Sequence, residues 1–429
     1  MPFENGPAAR RRVAVIGAGI SGLAAAHLSA DRDHVTLLEA APRLGGHART
    51  VIAGRRRDQP VDTGFIVFNR VNYPHLSGLF DALEVPVAPS RMSFGVSMGS
   101  GRFEYALRNL DALFAQWRNA ADPRFLRMLR DILRFNTRAA EHARDDITIG
   151  ELLARLGTGA WFRDRYLLPF SGAIWSTPNI RVLDFPAHAM IRFFRNHALM
   201  QLSGQHQWYT VRGGSVEYVR RLEARLRAQG VEIRTRAPVA AVRRGPEGVR
   251  LRPQGGDWES YDEVIFATHS DDTLAMLADP SPRERAALGA VRYQPNEAVL
   301  HADPGLMPRR RKVWSSWVYT EDTAGPGARI GLTYWMNSLQ PIPQDDPLFV
   351  TLNGTDRIRE ELIHDVTTFR HPVYDRAALA AQETLRRSNG ANATWFCGAW
   401  IRNGFHEDGF ASAVDIAERR DARRALAAA

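Results

Sequence analysis

The 429 residues are 45% hydrophobic and 24% charged, a globular balance with chain enough for about two to three cores. A single cysteine, Cys397, excludes an internal disulfide, and no apolar run approaches the ~18 residues that a bilayer-spanning helix needs. The net charge of +9 is carried almost entirely by arginine, with Lys312 the one lysine. Arginine-rich codon usage accounts for that excess, and so does contact with an anionic membrane surface. Nucleic acid is disfavoured, because the basic clusters are short and scattered and no nucleic-acid-binding signature accompanies them. With no secretory pattern at the start, a cytoplasmic protein able to lie on the inner membrane is expected.

The first element is a buried-type strand, "RVAVI" (12–16). Gly17, Ala18, Gly19, Ile20, Ser21 and Gly22 follow at GxGxxG spacing and open a helix-like run. "HVTLLEA" is the next strand, and its Glu39, followed by Ala40, stands 22 residues after Gly17. Glycines at these positions permit a tight turn, a close approach to a pyrophosphate and helix–strand packing, while the acid reaches a ribose hydroxyl. This is a dinucleotide site, and the fingerprint alone does not choose between FAD and NAD.

Further along, residues 105–142 carry Leu107, Leu110, Leu113, Phe114 and Trp117, then Phe125, Leu126, Leu129, Ile132, Leu133 and Phe135 beyond Pro123. The helical period predicts two helices, which either pack on a core or lie at a membrane interface with arginines at the headgroups. "VEIRTRAPVAAVRR" (231–244) and "EVIFAT" (263–268) read as strands, the latter returning to the first sheet. Residues 293–353 hold several strand-like runs, expected to form an antiparallel sheet that walls a pocket. "GPGARIG" (325–331) has no strand before it and is read as a turn, so no second dinucleotide fingerprint exists. The final "RRDARRALAAA" is read as a frayed helix end. No metal-ligand spacing and no catalytic triad appear. Candidate pocket aromatics are Trp175, Phe193, Phe194, Trp314, Trp317, Tyr334, Trp335 and Trp400, with Asn69 beside the 61–69 segment.

Four segments carry a family resemblance: "APRLGGHART" (41–50), "VDTGFIVFN" (61–69), "YTVRGGSVEYVRRL" (209–222) and "TWFCGAWIRNGFHEDGFASAVDIAERR" (394–420). In this order they resemble the FAD-dependent amine oxidase and phytoene desaturase superfamily. The resemblance implies an α/β fold: a discontinuous Rossmann-type FAD domain (1–75, 205–275, 390–429) and an α+β substrate domain (76–204, 276–389) with an antiparallel sheet and a helical insertion. It also implies FAD contacts from Arg43, Leu44, Gly45, Gly46 and His47, from Thr63, Gly64, Phe65 and Ile66, from Val239, and from Gly398, Glu407, Asp408, Gly409 and Phe410. His47 stands where the family usually has arginine; Arg43 and Arg49 remain for phosphate. His47 and His406 are read either as flavin ligands or as polar packing residues. Glu407, His406 and Tyr73 are the candidates for moving a proton.

"DTGFIVFNRVNYPHLSGLFDALEVP", "SGAIWSTP" and "CGAWIRNGFHEDGFASAV" further resemble bacterial flavoproteins found beside cyclopropane-fatty-acyl-synthase-like methyltransferases. That implies chemistry on phospholipid acyl chains, foremost desaturation of a methylated chain, with a lipid methyltransferase as partner. Reduction of a methylene or unsaturated chain, amine oxidation, and a non-catalytic flavoprotein assisting the methyltransferase are the alternatives.

Overall fold

The computed structural model describes residues 10–144, 146–175, 182–201, 204–321 and 331–428, with the side chains of Trp175, Ala427 and Ala428 outside that set. Residues 325–330 of the expected turn also lie outside it. A five-stranded parallel sheet runs in the order Glu232–Arg234, His34–Leu38, Arg12–Ile16, Glu263–Phe266, Thr394–Phe396. Its central strands are apolar on both faces, as a parallel sheet covered on both sides requires. Val13 and Val15 face helices Ile20–Ser29, Val216–Ala228 and His406–Ala428, whereas Ala14 and Ile16 face the layer holding Leu251, Leu288 and Leu385. Three widely separated stretches of chain thus meet in one sheet.

The second sheet has seven strands, in the order Ile363–Val373, Arg292–His301, Phe349–Leu352, Gly331–Trp335, Trp317–Glu321, Phe94–Met98, Phe103–Ala106. It is larger than the 293–353 reading, and not purely antiparallel: Trp317–Glu321 pairs parallel with Phe94–Met98. Helices Pro123–His142, Ile149–Leu156 and Ala187–Asn196 cover it through Phe125, Phe135, Leu152 and Phe194.

Two local readings are corrected. Of the first helix expected within 105–142, only Leu110–Leu113 is α-helical. Phe103–Ala106 is an edge strand, and Gln116 accepts from the Glu104 amide (3.0 Å) while Asn119 donates to the Glu104 carbonyl (3.0 Å). Side chains that bond backbone in this way compete with helix. The C-terminal tail is not frayed: its helix continues to Ala428. Buried Arg420 pairs with Asp33 (2.8 Å) and Glu263 (2.7 Å), and Arg424 also reaches Asp33.

Asp62 lies on the two-stranded hairpin Thr50–Ala53 with Gln59–Asp62 and ties it to two distant segments. Its buried carboxylate accepts from Thr50 Oγ1 (2.6 Å) on the paired strand, Ser215 N (2.8 Å) and Gln340 Nε2 (3.0 Å).

Candidate active site

The turn after Arg12–Ile16 is built on glycine sterics. Gly17 has φ +95°, and a Cβ on Gly22 would lie 1.8 Å from the Gly17 carbonyl oxygen. A Cβ on Gly19, by contrast, would meet no protein atom within 4 Å and would point into open space. The first intrahelical bond runs from Leu23 N to Gly19 O (3.0 Å), so the amides before it have no helical partner. Glu39 Oε2 accepts from Ala18 N (2.7 Å) and Oε1 from Ala41 N (2.8 Å), which fixes the carboxylate with acceptor capacity to spare. A cavity of 310 Å³ starts here, lined by Gly19, Ile20, Ser21 and His47, then Thr63, Gly64, Phe65 and Ile66, and closed by Gly398, Trp400 and His406. An open glycine cradle, a helix N-terminus and a pinned acid are the donors and space that the phosphates and ribose of FAD need.

A second cavity, of 670 Å³, opens from the first: Tyr73, Ile174, Trp208, Trp317 and Phe405 line both. Its walls are chiefly apolar, including Phe94, Leu113, Leu129, Ile132, Phe170 and Phe193. No carboxylate lines either cavity among the described residues. Residues 20–305 match the sequence profile described as flavin containing amine oxidoreductase. This chain belongs to that family. It is a FAD-dependent oxidoreductase. The chain is 28% identical, over 342 residues, to the carotenoid phi-ring synthase of Streptomyces griseus, covering 73% of this chain and 61% of that one. Among solved structures, it shares the fold of a CLA-producing fatty acid isomerase from P. acnes (16% identity, 95% and 98% of the two chains, TM-score 0.68). It also shares the fold of cyclohexylamine oxidase from Brevibacterium oxydans (16% identity, 96% and 100%, TM-score 0.68).

Several residues singled out from the sequence stand elsewhere in the fold. Glu407 does not line the cavity: its carboxylate accepts from His75 N and Leu76 N, 3.0 Å each, and caps helix Pro74–Ala82. Asp408 caps its own turn through Phe405 N (2.9 Å). Gly409 packs on Ile20 and Ser21, and Phe410 stacks on His75. Asn69 is buried and accepts from Asn72 N (2.8 Å), shaping a turn rather than a substrate wall. Strand alternation sends Tyr334 into the flavin cavity and Trp335 to the opposite face, against Trp314. Phe194 packs in the helical core. Arg43 folds back on the carbonyls of Gly46 (2.7 Å) and Ala48 (3.0 Å), and Arg49 is held bidentate by Asp365 (2.6 and 3.0 Å). Neither guanidinium lines the cavity. Leu44 is core, Ala40 is exposed, and Val239 lies on the edge of a three-stranded sheet, away from both cavities. Lys312 pairs with Asp111 at the surface (2.8 Å). His269, Asp271 and Asp272 cluster, but Arg370 already pairs with both carboxylates.

The sequence reading missed Phe369 and His371. Both belong to the stretch Phe369, Arg370, His371 and Pro372 of strand Ile363–Val373, which lines the cavity, and His47 stacks on Phe369 at 4.8 Å. Burial lowers His47 and His269 to about 4, and His371 and His406 to about 3. His406 also shares a hydrogen bond with Tyr218 Oη (2.6 Å) and stacks on Phe65 at 3.9 Å. Burial raises the Tyr73 hydroxyl, helped by the Asp408 and Glu407 charges, so it remains protonated.

These neutral imidazoles set an acid limit. Their folded pKa values lie below 6.5, so the unfolded chain binds more protons as pH falls from 6.5 toward 4, and stability is lost across that window. Asp62 and Asp408, raised by burial to about 6, act in the opposite sense and gain stability on protonation. The histidines outnumber them. Denaturant unfolding between pH 8 and 5 is expected to show stability falling with acid below pH 6.5, and His371→Gln should flatten the slope by about 1.4 kcal/mol per pH unit.

Proposed function

We propose that this FAD-dependent oxidoreductase acts on acyl chains of membrane phospholipids, desaturating a methylated chain supplied by a lipid methyltransferase. The observation that carries the reading is the 670 Å³ apolar cavity opening onto the flavin cavity. Its size and lining suit a hydrocarbon chain, and burying each methylene there is worth about 0.8 kcal/mol. A cationic amine would find no carboxylate on either wall among the described residues. The names of two relatives, a carotenoid synthase and a fatty acid isomerase, point to long hydrocarbon substrates as well. Bound FAD supplies the acceptor for a hydride. Desaturation would also release a proton, which residues of this chain must take up. The cavity's own candidates for handling that proton are the imidazoles of His47, His269, His371 and His406, all held neutral by burial, and the protonated hydroxyl of Tyr73. Glu407 positions helix Pro74–Ala82, and with it Tyr73. Reduction of a methylene or unsaturated chain is the second reading, favoured by the Tyr73 proton. Mass spectrometry of membrane phospholipids from cells with and without the gene distinguishes the two. Desaturation yields gene-dependent acyl species lacking two hydrogens, reduction yields species carrying two more, and an unchanged lipid profile contradicts both.

The mouth of this cavity bears on where the protein works. Among the described residues, no helix is long and apolar enough to cross a membrane. Yet Leu107, Leu110, Trp117, Leu126 and Leu133 are exposed, Leu110 and Trp117 to 73% and 82%. Leu107, Leu110 and Leu133 also line the cavity, beside Arg108. An apolar rim set among arginines suits the surface of an anionic bilayer. Leu110→Ser with Trp117→Ser is expected to weaken co-sedimentation with phosphatidylglycerol vesicles at least about tenfold, since burying either side chain is worth about 1.5–3 kcal/mol.

A further inference from the structure

A third cavity, of 320 Å³, adjoins the flavin cavity, and Tyr374 and Asn403 line both. Its chemistry is opposite to that of the acyl cavity, from which Phe193 separates it. Arg192, Arg386, Arg402 and His188 line it, and no carboxylate does among the described residues. Three separate elements bring the guanidiniums together: helix Ala187–Asn196, helix Arg376–Ser388 and the turn after Ala399–Ile401.

Existing partners leave donors over. Arg402 Nη2 pairs with Asp415 (2.7 Å) and Arg386 Nη2 with Glu383 (2.9 Å). The Nε of each guanidinium is nevertheless buried with no acceptor. The hydroxyl of Tyr374, a residue only 7% exposed, is also buried without a partner. Gln382 cannot serve them, because its amide donates to the carbonyls of Trp400 (2.8 Å) and Arg402 (2.6 Å). Unsatisfied buried donors are rare, and a set converging on one cation-lined cavity calls for an acceptor-rich anion.

We propose that this cavity is a phosphate-type oxyanion site whose occupancy reaches the flavin cavity through Tyr374. Donors arrive from three elements, and their summed positive charge with arginine's fork favours the higher charge and additional oxygens of a phosphate. The phosphate belongs either to a nucleotide or to free orthophosphate. The site is independent of the acyl-chain reading, since it uses none of the residues at the neck between the flavin and acyl cavities.

The test is calorimetric titration of the FAD-loaded protein, at fixed ionic strength, with orthophosphate, AMP and acetate, while flavin absorbance is followed. Saturable binding of orthophosphate and AMP is expected, with acetate at least about tenfold weaker. Tighter binding of AMP identifies a nucleotide source, and equal binding identifies free phosphate. Arg192→Ala with Arg386→Ala should weaken binding about a hundredfold. Tyr374→Phe, which preserves the ring, should keep the flavin and abolish the absorbance change. If the arginine variant fails to fold, Tyr374→Phe and Arg192→Gln carry the test. No saturable binding, acetate equal to phosphate, or phosphate binding that the variants leave unchanged would overturn the proposal.

Discussion

Gly22→Ala is expected to yield colourless, poorly folded protein, whereas Gly19→Ala should fold normally and lose only its flavin. The difference lies in what each new methyl meets. At Gly22 it would sit 1.8 Å from the Gly17 carbonyl oxygen and 2.9 Å from its carbon, both backbone atoms that cannot swing aside. Relief requires the helix to move off the central strand, at a cost of about 3 kcal/mol or more. At Gly19 the methyl meets no protein atom within 4 Å but enters the cradle where the pyrophosphate must approach the backbone. Loss of charge-assisted hydrogen bonds there should weaken FAD binding about a hundredfold, roughly 2.8 kcal/mol, with the thermal midpoint of the apoprotein unchanged. Flavin content per chain and a melting curve for each variant check the pair. A flavin-replete Gly19→Ala protein would show that the phosphates lie elsewhere.

The second large effect is expected at the neck between the cavities. Ile174 lines both, so Ile174→Trp should plug the passage with an indole while leaving the glycine cradle untouched. Lipid-dependent reduction of the flavin should fall at least about a hundredfold, because a misplaced chain loses the proximity on which hydride transfer depends. FAD content and chemical reduction by dithionite should match the unaltered protein. A variant that still oxidises lipid at the original rate would mean that the chain reaches the flavin by another route.

The parts of this molecule legible in its sequence were the local ones. Strand, glycine turn, helix and Glu39 lie within 28 residues, and each piece is dictated by sterics or capping that neighbours supply. Long-range partners were not legible. Glu407 looked like a proton acceptor because it follows His406, yet its carboxylate finds the amides of His75 and Leu76, over 330 positions away. Arg49 looked free for phosphate, and Asp365 claims it across 316 positions. Tyr334 and Trp335 show a different kind of loss. Adjacent strand residues must face opposite ways, so only one of them could line the cavity, and nothing in the order of residues says which. His371 stands on strand Ile363–Val373, beyond the strand-like runs legible up to residue 353. The apolar cavity itself draws on segments from Tyr73 to Phe405 and exists only once they fold together.

The central claim is that a hydrocarbon chain in the apolar cavity exchanges hydrogen with the flavin. Anaerobic mixing of the FAD-loaded protein with phospholipid bearing a methylated acyl chain tests it most directly, with absorbance near the flavin maximum as the readout and an amine mixture as the comparison. Bleaching by the lipid and not by the amines is the expected result. Bleaching by amines alone, or by neither, would contradict the account.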